Sequence, residues 1–248
     1  VTQPASVASP ALAVREVVKR YGSLTVVDGV SFTVRVGEAL GIVGPNGAGK
    51  TTLLDLIAGA QRGDSGRVLL GGADVTRLGP ARRCRRGLAR TFQTPRPMGD
   101  LTVFETALVS AVRGGGLRGR QAHDSAHEAL ARTGTLRLAN QASASLRLLD
   151  RKQLELARAL AANPRVLLLD EIAGGLTDAE TGRLVETIHQ VHVGGTTIVW
   201  VEHVLRALTK VATRLICLAD GRVLADGVPQ EVLANDDVRV AYLGRSVR

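Results

Sequence analysis

The stretch Gly44-Pro45-Asn46-Gly47-Ala48-Gly49-Lys50-Thr51 sets glycines at fixed intervals ahead of a lysine and a hydroxyl side chain. Glycines in this spacing let successive backbone N–H groups turn inward around an anion, and a helix starting there points its positive end at the same place. Lys50 supplies a cation for outer phosphates, Thr51 a hydroxyl for Mg²⁺, and Thr52 reaches a phosphate oxygen one position deeper. The pattern fits G-x-x-x-x-G-K-[ST] throughout, so a nucleoside triphosphate is the expected ligand, against a glycine-rich turn with a chance lysine. A second group of residues lies far along the chain. The apolar run 166–169 ends in Asp170 and Glu171, where Asp170 is expected to hold Mg²⁺ through its water shell and Glu171 to polarise the water that attacks the phosphate. Acid pairs after apolar strands are common, so this pair gains its weight from the glycine loop.

The elements around these residues agree. Residues 39–43 read as a buried strand, and residues 51–58 as a helix closed by Gly59. Residues 13–36 alternate β-rich pieces with turn signals at Tyr21-Gly22-Ser23 and Asp28-Gly29, and residues 66–75 read as a hairpin about Gly71-Gly72. Helical periodicity runs over 103–160, interrupted by the glycine–arginine stretch 113–120. Strands and helices alternate again after that: strand 165–169, helix 178–191, strand 196–201, helix 204–211, strand 214–218, and a hairpin at Asp220-Gly221. The fold class expected is α/β, a P-loop core with an antiparallel β subdomain and a helical insertion.

Composition bounds the rest. A chain of 248 residues with 45% hydrophobic residues can bury a proper core, and no apolar run approaches the roughly 18 to 20 residues of a membrane span. A membrane role is therefore expected to come through partners. The opening VTQPASVASP lacks the features of a secretion signal and reads as a loose tail. Cys84 and Cys217 lack metal or redox spacing, which suits a reducing cytoplasm. The net charge of +9 is concentrated in arginines at 81–90 and 113–120, consistent either with a solvated basic face or with a membrane-facing surface. Aromatics at 2% argue against a stacking platform for single-stranded nucleic acid.

Taken together, these residues resemble the nucleotide-binding subunit of an ABC transporter. The likeness runs from about residue 13 to 244 through KRYGSLTVVDGVSF, GPNGAGKTTLLDLIAGA, GLARTFQ, LELARALAANPRVLLLDE, IVWVEH and GVPQEVLANDDVRVAYLG. Within the family, GLARTFQTPRPMGDLTVFETALV and the terminal AYLG look most like the ATPases of branched-chain or hydrophobic amino acid importers. The resemblance implies one ABC ATPase domain over 13–248 after a tail at 1–12, with a helical subdomain at about 95–162 and a C-terminal tail at about 228–248. It implies that Tyr21 stacks on adenine, against a plain surface tyrosine. Gln93 becomes the glutamine of the loop that reaches Mg²⁺ or water, and His203 the switch histidine at the γ-phosphate. Residues 173–178 become the loop that crosses to a second ATPase subunit.

The likeness fails at one segment. The family's Leu-Ser-Gly-Gly-Gln signature falls on Leu146-Arg147-Leu148-Leu149-Asp150, where only the first leucine survives. Asp150 followed by Gln153 looks like an N-cap with its box partner, placed to occupy donors that a phosphate would need, while Arg147 offers a guanidinium that can grip phosphate. Ile172 stands where a proline is usual, and Val204 where an acid is usual. The pattern implies a heterodimer of two ATPases, with a homodimer as the alternative, at the cytoplasmic face of a bacterial inner membrane. It would work with membrane permease subunits and, through them, a substrate-binding protein. An exporter ATPase, a nucleic-acid-associated ABC ATPase and a regulatory ATP-binding subunit are the competing readings, and no nucleic-acid partner is expected.

Overall fold

The computed structural model describes residues 9–93 and 98–243. Strands β1 (Leu12–Tyr21) and β2 (Leu24–Val34) form a long hairpin, and the buried strand β3 (Ala39–Val43) feeds the glycine loop and helix α1 (Lys50–Ala58). Next come β4 (Ser65–Leu70), β5 (Ala73–Asp74), α2 (Pro80–Arg85) and β6 (Leu88–Arg90). Helices α3 (Val103–Val109), α4 (Gly119–Arg132) and α5 (Leu148–Ala161) follow, then β7 (Val166–Asp170), α6 (Asp178–Val193), β8 (Thr197–Val201) and α7 (Leu205–Leu208). The chain continues through β9 (Arg214–Ala219), β10 (Arg222–Gly227), α8 (Pro229–Ala234) and α9 (Asp236–Leu243).

The strands make two sheets. One is antiparallel in the order β2-β1-β4-β5; the other runs β10-β9-β3-β8-β7-β6, parallel except for β10 at its edge. Strands β3, β7 and β8 are buried at every position, as a parallel sheet covered on both faces requires. Alternation still sorts their side chains. Leu167, Leu169, Ile198 and Trp200 pack among helices α3 to α6, whereas Leu168, Val199 and Val201 pack with α1 and the antiparallel sheet. The P-loop core, antiparallel subdomain and helical subdomain expected from sequence are all present. Because β3, β8 and β7 are neighbours, the glycine loop, His203 and the two acids emerge at adjacent carboxyl ends, the place where open α/β sheets hold ligands.

Several local expectations are corrected. Asp28-Gly29 is not a turn: β2 runs through it, and the left-handed Gly29 (φ 65°) absorbs a register shift between Val17↔Val30 and Lys19↔Val27. Ala11 and Leu12, assigned to the loose tail, are buried, and β1 begins at Leu12. The helix expected over 204–211 is one turn, Leu205–Leu208. The helical stretch 103–160 has a second break between α4 and α5. Residues 1–8, 94–97 and 244–248, which include part of the expected tail and the last residue of AYLG, lie outside the described residues.

The arginine-rich α2 also reads differently in three dimensions. Arg83 is buried, and its guanidinium donates to the carbonyls of Leu56 and Ile57 at 2.6 Å each, Thr76 at 2.8 Å and Leu78 at 2.8 Å. Leu56 and Ile57 belong to the last turn of α1, so Arg83 satisfies carbonyls that the helix end leaves open. Burial lowers its pKa to about 10, which keeps the side chain charged at neutral pH. This arginine belongs neither to a solvated face nor to a membrane-facing one.

Candidate active site

The glycine loop is built by close approach. A Cβ at Gly44 would lie 2.2 Å from the Leu218 carbonyl, and one at Gly49 2.4 Å from that of Val26, so neither position admits a side chain. Gly49 (φ 93°) caps α1 without a side chain, and Leu53 closes the first helical bond to Gly49 at 2.8 Å. The N–H groups of Lys50, Thr51 and Thr52 therefore face the loop rather than a helical acceptor. Lys50 is buried, and its Nζ donates to the carbonyls of Gly44 (2.7 Å) and Pro45 (2.9 Å). Burial lowers the pKa of this amine, while the charge of Glu171 opposes the shift. At the loop's start, the Gly44 N–H donates to the Tyr242 hydroxyl at 2.7 Å, which ties α9 to the phosphate-binding backbone.

Both acids at the end of β7 are held from β6 and the segment that follows it. Arg90 Nη2 donates to Asp170 Oδ2 at 2.6 Å, and its Nη1 to Asp55 Oδ1 on α1 at 2.5 Å. All three side chains are largely buried. Burial pulls the Arg90 pKa down, but the bonds to Asp170 and Asp55 outweigh it and the net shift is upward. Gln93 Nε2 donates to Glu171 Oε2 at 2.9 Å, and the Gln93 carbonyl accepts from Lys152 of α5 at 2.5 Å. Glu171 sits at φ 40°, a left-handed conformation that costs a non-glycine residue of order 1–3 kcal/mol. Its backbone N–H is fixed to the Val201 carbonyl at 2.9 Å.

His203 follows β8 with its side chain half exposed, and Nδ1 lies 3.2 Å from Glu202 Oε1. Tyr21 ends β1 with its ring nearly half exposed and its hydroxyl bonded to Gln61; the Lys19 amine lies 5.2 Å from the ring centre. Gln61 in turn donates to Asp55 at 3.2 Å, so Tyr21, Gln61, Asp55, Arg90 and Asp170 form one hydrogen-bonded chain. The segment at 146–150 departs from expectation. Arg147, not Asp150, is the N-cap of α5, and Gln153 bonds Thr187 at 3.5 Å. Asp150 sits in the first turn with its carboxylate drawn to Arg137 at 2.7 Å, so it does not occupy the end of α5 as a cap.

Four residues of the site were not expected from the sequence, and two of them, Arg90 and Glu202, carried a signal there. Arg90 lies inside GLARTFQ, three residues before Gln93. Glu202 follows the apolar run 198–201, as Asp170 follows the run 166–169. Asp55 and Lys152 carried only their charge on otherwise amphipathic helices. Among the described residues no cluster of three or more His, Cys, Asp or Glu could hold a metal ion. A hydroxyl at Thr51 and a carboxylate at Asp170 nonetheless suit Mg²⁺, which binds through one or two carboxylates together with substrate phosphates.

A glycine cradle at the end of β3, a histidine after the adjacent β8 and an acid pair at the end of β7 beyond it define a nucleotide-hydrolysing P-loop protein. Residues 27–174 match the ABC transporter family, and the chain belongs to it as a transport ATPase that binds nucleotide. Residues 222–248 match a second pattern, described as "Branched-chain amino acid ATP-binding cassette transporter". The chain is 34% identical to the high-affinity branched-chain amino acid transport ATP-binding protein LivG of Salmonella typhimurium, over 96% of this chain and 99% of that one. It is 31% identical to the lipopolysaccharide export system ATP-binding protein LptB of Escherichia coli, over 96% and 98%. Among solved structures, the ADP conformation of MJ1267, an ATP-binding cassette of an ABC transporter, superposes with a TM-score of 0.87 at 28% identity, over 95% of this chain and 99% of that one.

Proposed function

We propose that this chain hydrolyses ATP to drive uptake of branched-chain or other hydrophobic amino acids, or related small solutes, through separate permease subunits. The observation that carries the catalytic half is the pair of acids at the end of β7, with Glu171 held by Gln93 at 2.9 Å and Lys50 within its electrostatic reach. In this reading Glu171 polarises the attacking water, Gln93 reaches that water or Mg²⁺, His203 touches the γ-phosphate, and Tyr21 stacks on adenine. The loop from Gly44 through Pro45, Asn46, Gly47, Ala48 and Gly49 to Lys50, Thr51 and Thr52 holds the phosphates. Thr51, Asp170 and Gln93 would hold Mg²⁺, which neutralises charge on the phosphates when bound.

Support for uptake comes from the relatives named for branched-chain amino acid transport and from the matching tail. The likeness to LptB keeps an exporter as the second reading. No helix among the described residues is long and apolar enough to cross a membrane, which fits a peripheral subunit at the cytoplasmic face. Co-expression with candidate permease and binding-protein subunits, reconstituted in vesicles, tests the direction. ATP-dependent accumulation of leucine supports import, and extrusion or indifference to amino acids overturns it.

The same reading includes an asymmetric pair of ATPases. This chain would lend an intact loop and acids to one site and its altered 146–150 segment to the other. Leu148 is exposed at the start of α5, and Arg147 caps it without a side-chain bond, so the segment offers neither the serine hydroxyl nor the bare backbone of the family signature. Brisk cooperative hydrolysis by this chain alone would overturn the asymmetry.

A further inference from the structure

Glu202 is fully buried at the end of β8, and its two oxygens face different loops. Oε2 accepts from the backbone N–H of Ala173 at 3.3 Å, in the stretch after Glu171. Oε1 accepts from the backbone N–H of His203 at 3.1 Å and lies 3.2 Å from that residue's Nδ1. Lys152 of α5, which holds the Gln93 carbonyl, feels the Glu202 charge. One buried carboxylate thus sits among the histidine segment, the loop after Glu171 and the helix that anchors Gln93. A buried charge is costly unless such partners surround it, so its placement here asks for a role.

We propose that Glu202 is a positioning residue for His203, keeping a proton on Nδ1 so that Nε2 is the nitrogen presented to the γ-phosphate. The inference rests on the reading of His203 as the γ-phosphate contact. The reason is donor and acceptor arithmetic: a carboxylate oxygen only accepts, so a bare Nδ1 lone pair 3.2 Å away would be repelled by it. A neutral imidazole in water favours the proton on the other nitrogen, and the tautomer in a protein is set by the partner of each nitrogen. With Glu202 beside Nδ1, Nε2 is the ring nitrogen left free on the side where the phosphate binds. The bond from Ala173 to Glu202 ties the loop beyond Glu171 to the same carboxylate.

The test is ¹⁵N imidazole NMR on the full chain without nucleotide, at a pH where the rings are neutral. His203→Gln identifies the signal among the five histidines. The expected result is a pyrrole-like Nδ1 and a pyridine-like Nε2 for His203, and a swap of the two shifts in Glu202→Ala. Should that variant not fold, Glu202→Leu fills the volume without an acceptor and should show the same swap. A wild-type His203 protonated on Nε2, or shifts unchanged by either substitution, overturns the proposal. Loss of the γ-phosphate reading shows itself separately, as ATP turnover of the assembled transporter unchanged in His203→Ala, and leaves the nucleotide-free tautomer result untouched.

Discussion

Arg90 Nη2 donates to Asp170 Oδ2 at 2.6 Å, so the orientation of an acid at the end of β7 is set by the neighbouring strand. The same guanidinium reaches Asp55 on the helix behind the phosphate loop. Arg90→Ala leaves two buried carboxylates with no shared cation, and breaking a buried pair of this kind costs about 3–5 kcal/mol. Urea unfolding checks it. Asp55→Ala in the Arg90→Ala background should recover part of the loss, and strict additivity of the two changes would show that the contact carries no coupling.

Glu171→Gln keeps the side chain's size and its approach to Gln93 but removes the base. Turnover should fall by about 10²–10⁴-fold while ATP still binds, and the ATP-bound subunits should accumulate as a closed dimer in size-exclusion chromatography. Lys50→Ala should instead weaken ATP binding itself, read by fluorescent-nucleotide titration. Unchanged steady-state turnover in Glu171→Gln would remove Glu171 from the role of base.

Burial lowers the pKa of Lys50 in the free protein, and bound phosphates raise it again. ATP binding then takes up a proton in the window between those two values, so affinity falls as pH rises through the lower one and is flat below it. Calorimetry in buffers of different ionisation enthalpy reads the uptake directly. Lys50→Met should abolish the alkaline dependence.

Arg83→Ala strips a charged donor from the last turn of α1, where it meets the Leu56 and Ile57 carbonyls. Hydrogen bonds to a charged group contribute about 1.5–3 kcal/mol, so the variant should lose at least that and melt several degrees lower. Binding to anionic vesicles should not change. Weakened vesicle binding at full stability would return Arg83 to the surface.

The sequence made the phosphate loop, the acid pair and the buried strands legible because each is a local pattern: glycine spacing, apolar runs of four or five and the charges that follow them. Gln93 and His203 needed the family resemblance, since a lone glutamine or histidine carries no pattern of its own. Asp28-Gly29 misled because a left-handed glycine serves a bulge as well as a turn, and only pairing with β1 decides between them. Asp150 misled for a related reason: an acid near a helix start caps it unless a cation such as Arg137, thirteen residues earlier, takes the carboxylate first. The bonds of Arg83 to the end of α1, of Arg90 to Asp55 and Asp170, and of Glu202 to Ala173 were invisible because they join segments well separated in the chain.

Tyr242→Phe removes the acceptor for the Gly44 N–H and should cost about 1–3 kcal/mol of stability, seen by thermal melting. ATP affinity should fall with it, because the first amide of the loop is then free to shift.

That bond also has a meaning for how the molecule is made. Gly44 is synthesised early and Tyr242 almost 200 residues later, so the phosphate cradle emerges from the ribosome long before the hydroxyl that pins its first turn. A nascent chain halted before α9 would hold its nucleotide loosely, and the grip tightens only once translation has reached the final helix.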